Sequence, residues 1–226
     1  MKTKLFTLLL FSLFISCSSS INSPEFIEKT TGRYLFNADE TIEIYFKESQ
    51  LFAKWRGNDA IEPLKVNDST FYVKEMNEKL VFISKPNVHI KLAPKREHKG
   101  TEYTFTKLEK GKKTPSEYLK DKEYDLALKG YLEIQQKDSL SKTIRWRTIN
   151  NLAHQYFKTK DKETALALFK INTNLYPKKP AVYRNYGFAL IETKDTVNAI
   201  INYKKALAIN PDDQRAIRFL EKQKKK

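Results

Sequence analysis

Few residues in this 226-residue chain have the types and spacing to do chemistry. Ser139-Leu140-Ser141-Lys142 sets a hydroxyl nucleophile one helical turn before a lysine base, and Tyr183-Arg184-Asn185 offers a phenol and an amide. Acyl transfer on that plan needs a third, Lys-Thr-Gly element, which the chain lacks. Both segments also fall in or beside repeat helices, so their spacing reads as chance. His89, His98 and His154 are too few and too scattered for a zinc site, and the six glycines stand singly rather than in a phosphate loop. Acids are common, but nothing singles out a pair for glycoside hydrolysis. The expectation is a non-catalytic protein with no metal and no cofactor.

One reactive group remains, Cys17, the only cysteine. It follows Lys2 and Lys4, an apolar and hydroxyl run over residues 5–15, and the small Ser16. The run is shorter than the roughly 20 apolar residues a spanning helix needs. A lone cysteine at that junction resembles the acceptor of a bacterial lipoprotein signal, with Phe14 at the place usually held by Leu and Leu13 one step earlier. The resemblance implies cleavage after residue 16, a thioether-linked diacylglycerol, and palmitate on the new N-terminus. Several acyl chains make a durable anchor, and residues 18–23 would form a polar tether. Ser18 after the cysteine resembles lipoproteins passed on to the outer membrane, and the absence of a following acidic run favours the periplasm-facing side. The alternative is an ordinary cleaved signal whose cysteine is incidental.

Net charge is +15, and it is unevenly spread. Residues 17–110 carry a net +1, whereas residues 111–226 carry +12. A basic half of this kind suggests nucleic acid in a cytosolic protein. Export removes that expectation and leaves acidic proteins, anionic lipid headgroups or acidic glycans as partners, or lysines that only solubilise helix exteriors.

From Thr31 to Leu108 the hydropathy alternates with period two. Ile42, Ile44 and Phe46 lead, followed by runs at 51–55, 64–66, 71–73, 80–83, 88–92 and 103–108, with polar turns between them. Seven or eight short strands predict a small antiparallel β-sandwich or barrel over residues 31–110. Gly32-Arg33-Tyr34, the 51–55 strand, Glu62-Pro63-Leu64, Phe71 and Leu80-Val81-Phe82 resemble the accessory β domain found C-terminal to β-lactamase-like serine hydrolases. Its aromatics, Phe46, Phe52, Trp55, Phe71 and Phe82, either fill a core, as such residues more often do, or line a ligand cavity. Tyr34, Tyr45, Tyr72 and Trp55 are the positions to watch on an exposed face.

After a polar joint at residues 110–115 the pattern turns helical and repeats at 34 residues. Ala165, Phe169 and Pro177 return as Ala199, Tyr203 and Pro211, while Ile149, Leu152, Ala153 and Tyr156 return as Tyr183, Tyr186, Gly187 and Leu190. That period resembles the tetratricopeptide repeat, a pair of antiparallel helices that stacks on copies of itself. Tyr118, Ala127 and Tyr131 suggest an earlier, degenerate unit, 38 residues ahead of its neighbour rather than 34. Asp161 and Asp195 are expected to cap the second helix of a pair, and Asn210 to cap the last helix with Pro211 at its first position.

The family resemblance implies that the first helix of each pair lines a concave groove. It places Arg147, Asn150, Asn151, His154 and Lys158 there from one repeat and Arg184, Asn185, Phe188 and Ile191 from the next. Arg and Asn facing one groove suit a peptide carboxylate or backbone amide. The overall expectation is α+β with two domains: signal 1–16, acylated cysteine and tether 17–30, β domain 31–110, and a helical solenoid with capping helix over 115–226. The function expected is a membrane-anchored adaptor for a protein partner, possibly an acidic one, with no nucleic acid. The rival is a glycan- or peptidoglycan-binding accessory subunit of a cell-envelope hydrolase, with the β domain as the binding module.

Overall fold

The computed structural model describes residues 21–225. Cys17, the signal run and residues 18–20 of the expected tether lie outside the described residues. The chain divides into two compact units. One holds residues 21–34 with Ile42–Lys107, and the other holds Leu35–Thr41 with residues 108–225.

The first unit opens with helix α1 (Pro24–Thr30), which lies inside the stretch read as a tether. Ser23 caps it by accepting from Phe26 N–H at 3.2 Å, and Pro24 sits in the first turn, where its missing N–H costs nothing. Nine strands follow: β1 (Gly32–Asn37), β2 (Glu40–Lys47), β3 (Gln50–Trp55), β4 (Asn58–Ile61), β5 (Leu64–Asn67), β6 (Thr70–Val73), β7 (Glu78–Ile83), β8 (His89–Leu92) and β9 (Thr104–Lys107). The β2–β3 and β3–β4 turns are tight, with positive φ at Glu48, Ser49, Arg56 and Gly57, the left-handed geometry that matches strand twist in two-residue hairpins.

All nine strands join one sheet in the order β4-β3-β2-β1-β9-β8-β7-β6-β5. This corrects the expected fold class: among the described residues no second sheet faces the first, as a sandwich needs, and no ladder joins β4 to β5, as a closed barrel needs. The reason lies at the two edges. Glu62-Pro63 alone links them, so the sheet must curl until its edges meet at that corner, yet Pro63 has no N–H to donate to a closing ladder. The result is a half-barrel. Ile42, Ile44, Leu51, Ala53, Ile61, Phe71, Leu80, Phe82 and Ile90 are buried on its inner side.

Helix α1 fills the hollow. The Phe26 ring stacks on Phe71 at 5.7 Å and meets Phe82 and Phe46 edge-on at 5.4 and 6.1 Å. Tyr34 OH donates to Thr30 O at 2.8 Å, and the Lys107 ammonium donates to Lys29 O at 2.5 Å. Ahead of the helix, Asn22 bonds Ser49 O through both its backbone N–H and its side-chain amide, each at 2.9 Å. Phe46, Phe71 and Phe82 are therefore core. Tyr45 and Phe52, directly paired in the β2–β3 register, stack at 5.5 Å on the opposite face, with Lys47 and Lys54 against the rings.

The second unit holds α2 (Pro115–Lys120), α3 (Tyr124–Lys137), α4 (Trp146–Lys158), α5 (Lys162–Leu175), α6 (Pro180–Glu192), α7 (Thr196–Ile209) and α8 (Gln214–Lys224). They form three helix pairs and a terminal helix, the plan the repeat period implies. Gly187 is needed for the closest approach: a Cβ there would stand 2.9 Å from the Tyr203 ring and 3.3 Å from Ala199 O. The 38-residue spacing is taken up between α3 and α4 by a short 3-10 turn, Lys142–Ile144. Asp161 and Asp195 cap α5 and α7 through Thr164 and Asn198 N–H, as expected. Asn210 does not cap α8. Its Oδ1 accepts from Asp212 N–H in a local turn that holds Pro211, and Asp213 caps the helix three residues later.

Within this unit Asp39 is a half-buried carboxylate. It accepts from Ser116 N–H at 2.8 Å, Ser116 Oγ at 2.6 Å and Tyr131 OH at 3.0 Å. Burial holds its carboxyl above the usual range even though these donors pull the other way. A raised acid pKa means the folded state keeps its proton to higher pH than the unfolded chain does. The proton's stabilising effect is therefore full below the ordinary carboxyl range and is lost as pH rises through the folded value. In urea titrations, wild type is expected to gain stability relative to Asp39→Asn as pH falls from neutral toward about 4. A difference that does not change with pH would contradict this.

Candidate functional site

The residues expected to line a groove lie on α4 and α6, the first helices of adjacent pairs. Both start cleanly: Trp146 O accepts from the buried Asn172 amide at 2.9 Å, and Pro180 occupies the first turn of α6. The two helices are joined by Asn185 Nδ2 donating to Asn150 Oδ1 at 2.6 Å. This pair, expected to face a ligand, thus also sets the spacing of the groove floor.

Along α4, Arg147, Asn151 and Lys158 are exposed and His154 is half-buried. The Arg147 guanidinium lies 4.8 Å from the Trp146 ring centre, and His154 stands edge-on to Phe169 at 5.2 Å. On α6, Phe188 is 51% exposed, unusual for a ring of its size, and Ile191 is half-buried. His154 and Phe188 meet in a notch of about 100 Å³ completed by Phe157, Phe169, Ala189 and Glu192. Phe157 and Glu192 were missed from sequence. Glu192 is the last residue of α6, one step beyond Ile191, so the helical period alone would have nominated it.

Arg184 has a different role from the one expected. Its guanidinium pairs with Asp213, whose side chain is 5% exposed and also accepts from Arg215 and Ala216 N–H. The arginine fastens α8 to α6, and its charge is already matched. Helices α4 and α6 thus carry the mutually bonded amides of Asn150 and Asn185, an exposed amide at Asn151, an imidazole at His154, an open ring at Phe188 and cations at Arg147 and Lys158. Such a set can hydrogen-bond an extended backbone and seat one apolar side chain.

Among the described residues no helix is long and apolar enough to cross a membrane. Nor, among them, do three His, Cys, Asp or Glu side chains cluster closely enough to hold a metal ion. Ser139 and Lys142 sit at the exposed entry to the 3-10 turn before α4.

The chain is similar to several solved tetratricopeptide domains. The first such domain of Spaghetti (RPAP3), solved with an HSP90 peptide, is 22% identical over 48% of this chain and 82% of that one, with a TM-score of 0.33. A point mutant of MamA is 20% identical over 48% and 79%, with a TM-score of 0.36. The Sgt2 domain from Aspergillus fumigatus is 21% identical over 49% and 72%, with a TM-score of 0.34. No family model and no curated protein matches. With TM-scores this low, neither a family nor a partner is taken from these likenesses.

Proposed function

We propose that this protein is a non-catalytic adaptor of the bacterial cell envelope. A lipid on Cys17 holds it to the outer membrane on the periplasmic side, and the groove of α4 and α6 grips a segment of a partner protein. What supports the reading is the pairing of α4 and α6: two helices pinned by Asn150 and Asn185, with a notch at His154 and Phe188 and the exposed Asn151 on the same helix as His154. Preformed geometry of this kind lowers the ordering cost of binding. The basic balance of the helical half would speed encounter with an acidic partner.

The rival reading is a glycan- or peptidoglycan-binding accessory subunit with the β domain as its binding module; Phe26 occupies the hollow and so argues against a ligand at that one place.

Photo-crosslinking in the native cell tests the groove. A benzophenone side chain replacing Phe188 is expected to give one discrete protein adduct, whereas the same group replacing Lys170, exposed on α5, gives none. Adducts of equal yield from both positions, or from Lys170 alone, would remove the groove from the account. Mass spectrometry of the mature chain tests the anchor independently, with acyl groups on Cys17 as the expected result and a free thiol as the contrary one.

A further inference from the structure

The terminal helices carry an excess of positive charge with no acid to match it, although Lys205 lies 5.8 Å from the Tyr183 ring centre and Arg218 Nε donates to Gln214 O at 3.1 Å. Helices α7 and α8 hold Lys204, Lys205, Arg215, Arg218, Lys222 and Lys224 against one acid, Glu221. None of the six enters an ion pair among the described residues. The acids in the turn before α8 are Asp212 and Asp213, and Asp213 is already matched to Arg184. Between the two helices runs a groove of about 440 Å³ lined by Ile200, Leu207, Ile217 and Leu220, with Lys204 and Lys224 outnumbering its one acid, Glu221, and with Gln223 beside them. Nearby on α7, Val197 and Ile201 are 71% and 45% exposed. Val197, Ile201, Lys204 and Ala208 follow one another at helical spacing, so apolar and cationic groups share one side.

The repeat shows what this surface is not built for. Thirty-four residues earlier, the places of Leu220, Glu221 and Lys224 are held by Tyr186, Gly187 and Leu190. There α7 packs against Gly187, and Leu190 is buried. On α8 the glycine required for close approach has become Glu221 and the buried leucine has become Lys224. A further helix of the same kind is therefore held off, and a second copy of this chain would bring like charge.

Composition separates the remaining occupants. Protein interfaces favour Tyr, Trp and Arg and are depleted in Lys. Here the exposed apolar groups are aliphatic and most of the cations are lysines, whose stems lie along apolar surface while their ammonium groups reach outward. Lysine beside aliphatic side chains is the pattern of an interfacial membrane contact.

We propose that the α7–α8 end of the solenoid is a docking surface for an anionic lipid bilayer. The aliphatic groups of α7 and the groove enter the headgroup and acyl boundary, and the lysine and arginine heads pair with lipid phosphates. Each cation close to such a surface contributes about fivefold to partitioning. This contact goes beyond the adaptor reading and does not need an acyl group on Cys17.

The test uses the full chain with Cys17→Ser as background and one spin-labelled thiol, placed by Ile201→Cys or, as a reference on the groove side, by Asn151→Cys. Vesicles are phosphatidylcholine with or without phosphatidylglycerol. On the anionic vesicles alone, the label at 201 is expected to become accessible to oxygen and shielded from a water-soluble nickel complex, while the label at 151 stays aqueous. Lys204→Glu with Lys224→Glu should lower partitioning onto anionic vesicles at least about tenfold with the helical circular dichroism unchanged. Three results would overturn the proposal. One is a label at 201 that stays in water while the chain is vesicle-bound through its apolar N-terminal run. Another is equal immersion in neutral vesicles or unchanged partitioning after charge reversal. The third is shielding by polyglutamate without shielding by vesicles, which would make the surface a protein-docking one.

Discussion

Phe26→Ala is expected to destabilise the sheet unit by about 3 kcal/mol, the lower end of the range for removing a core phenylalanine. The ring touches Phe46, Phe71 and Phe82, which come from β2, β6 and β7. Deleting it strips one contact from each of three strands and opens the hollow that closure of a barrel would otherwise have sealed. Its replacement cannot be compensated by collapse, because the curled backbone is fixed by its ladders. Urea unfolding followed by Trp55 fluorescence in a Trp146→Phe background isolates this unit. A shift under about 1 kcal/mol would mean that α1 rests on the sheet without belonging to its core.

The second large effect is expected at Asp213. Asp213→Ala removes the partner of Arg184 and the acceptor for two amide groups at the start of α8. Loss of a helix cap costs about 1 kcal/mol. Leaving a largely buried charge without its partner costs more, so a total of about 3 kcal/mol is expected. The loss should be local. Tyr203 and Phe219 stack at 4.0 Å across the same junction, so amide exchange in α8 should accelerate while α4 and α5 stay protected. Arg184→Met in the Asp213→Ala background should recover part of the loss, because the unpaired charge is then gone. If the double variant is no more stable than Asp213→Ala, the ion pair is not what holds the terminal helix.

The helix pairs were legible because their signals are local. A 34-residue echo, a capping Asp before each second helix, and small residues where helices meet all lie within a few turns of one another. The strands were legible for the same reason, since alternation is a nearest-neighbour property. The shape of the sheet was not. Whether strands form one sheet or two depends on the β1–β9 junction, between segments about 70 residues apart, and no periodicity encodes it. Helix α1 had its signals in plain view, Ser23 before Pro24, but seven residues give too little period to separate a helix from a polar tether. Asn150 and Asn185, expected to face a ligand, are hydrogen-bonded to each other. Arg184 was expected to reach a ligand, yet its long side chain found the nearer acid, one supplied by a helix start that itself fell three residues later than the Asn-Pro pair suggested.

The central claim is that the face of α4 and α6 holds a protein segment. Its most direct test is the affinity of the partner recovered by crosslinking, measured by calorimetry for wild type and for Asn151→Ala with Phe188→Ala. Removing one amide and one exposed ring, each in a position to contact the segment, is expected to weaken binding at least about tenfold, with Lys170→Ala on α5 unchanged as reference. Equal affinity for the groove variant and wild type, or a loss confined to Lys170→Ala, would contradict the account.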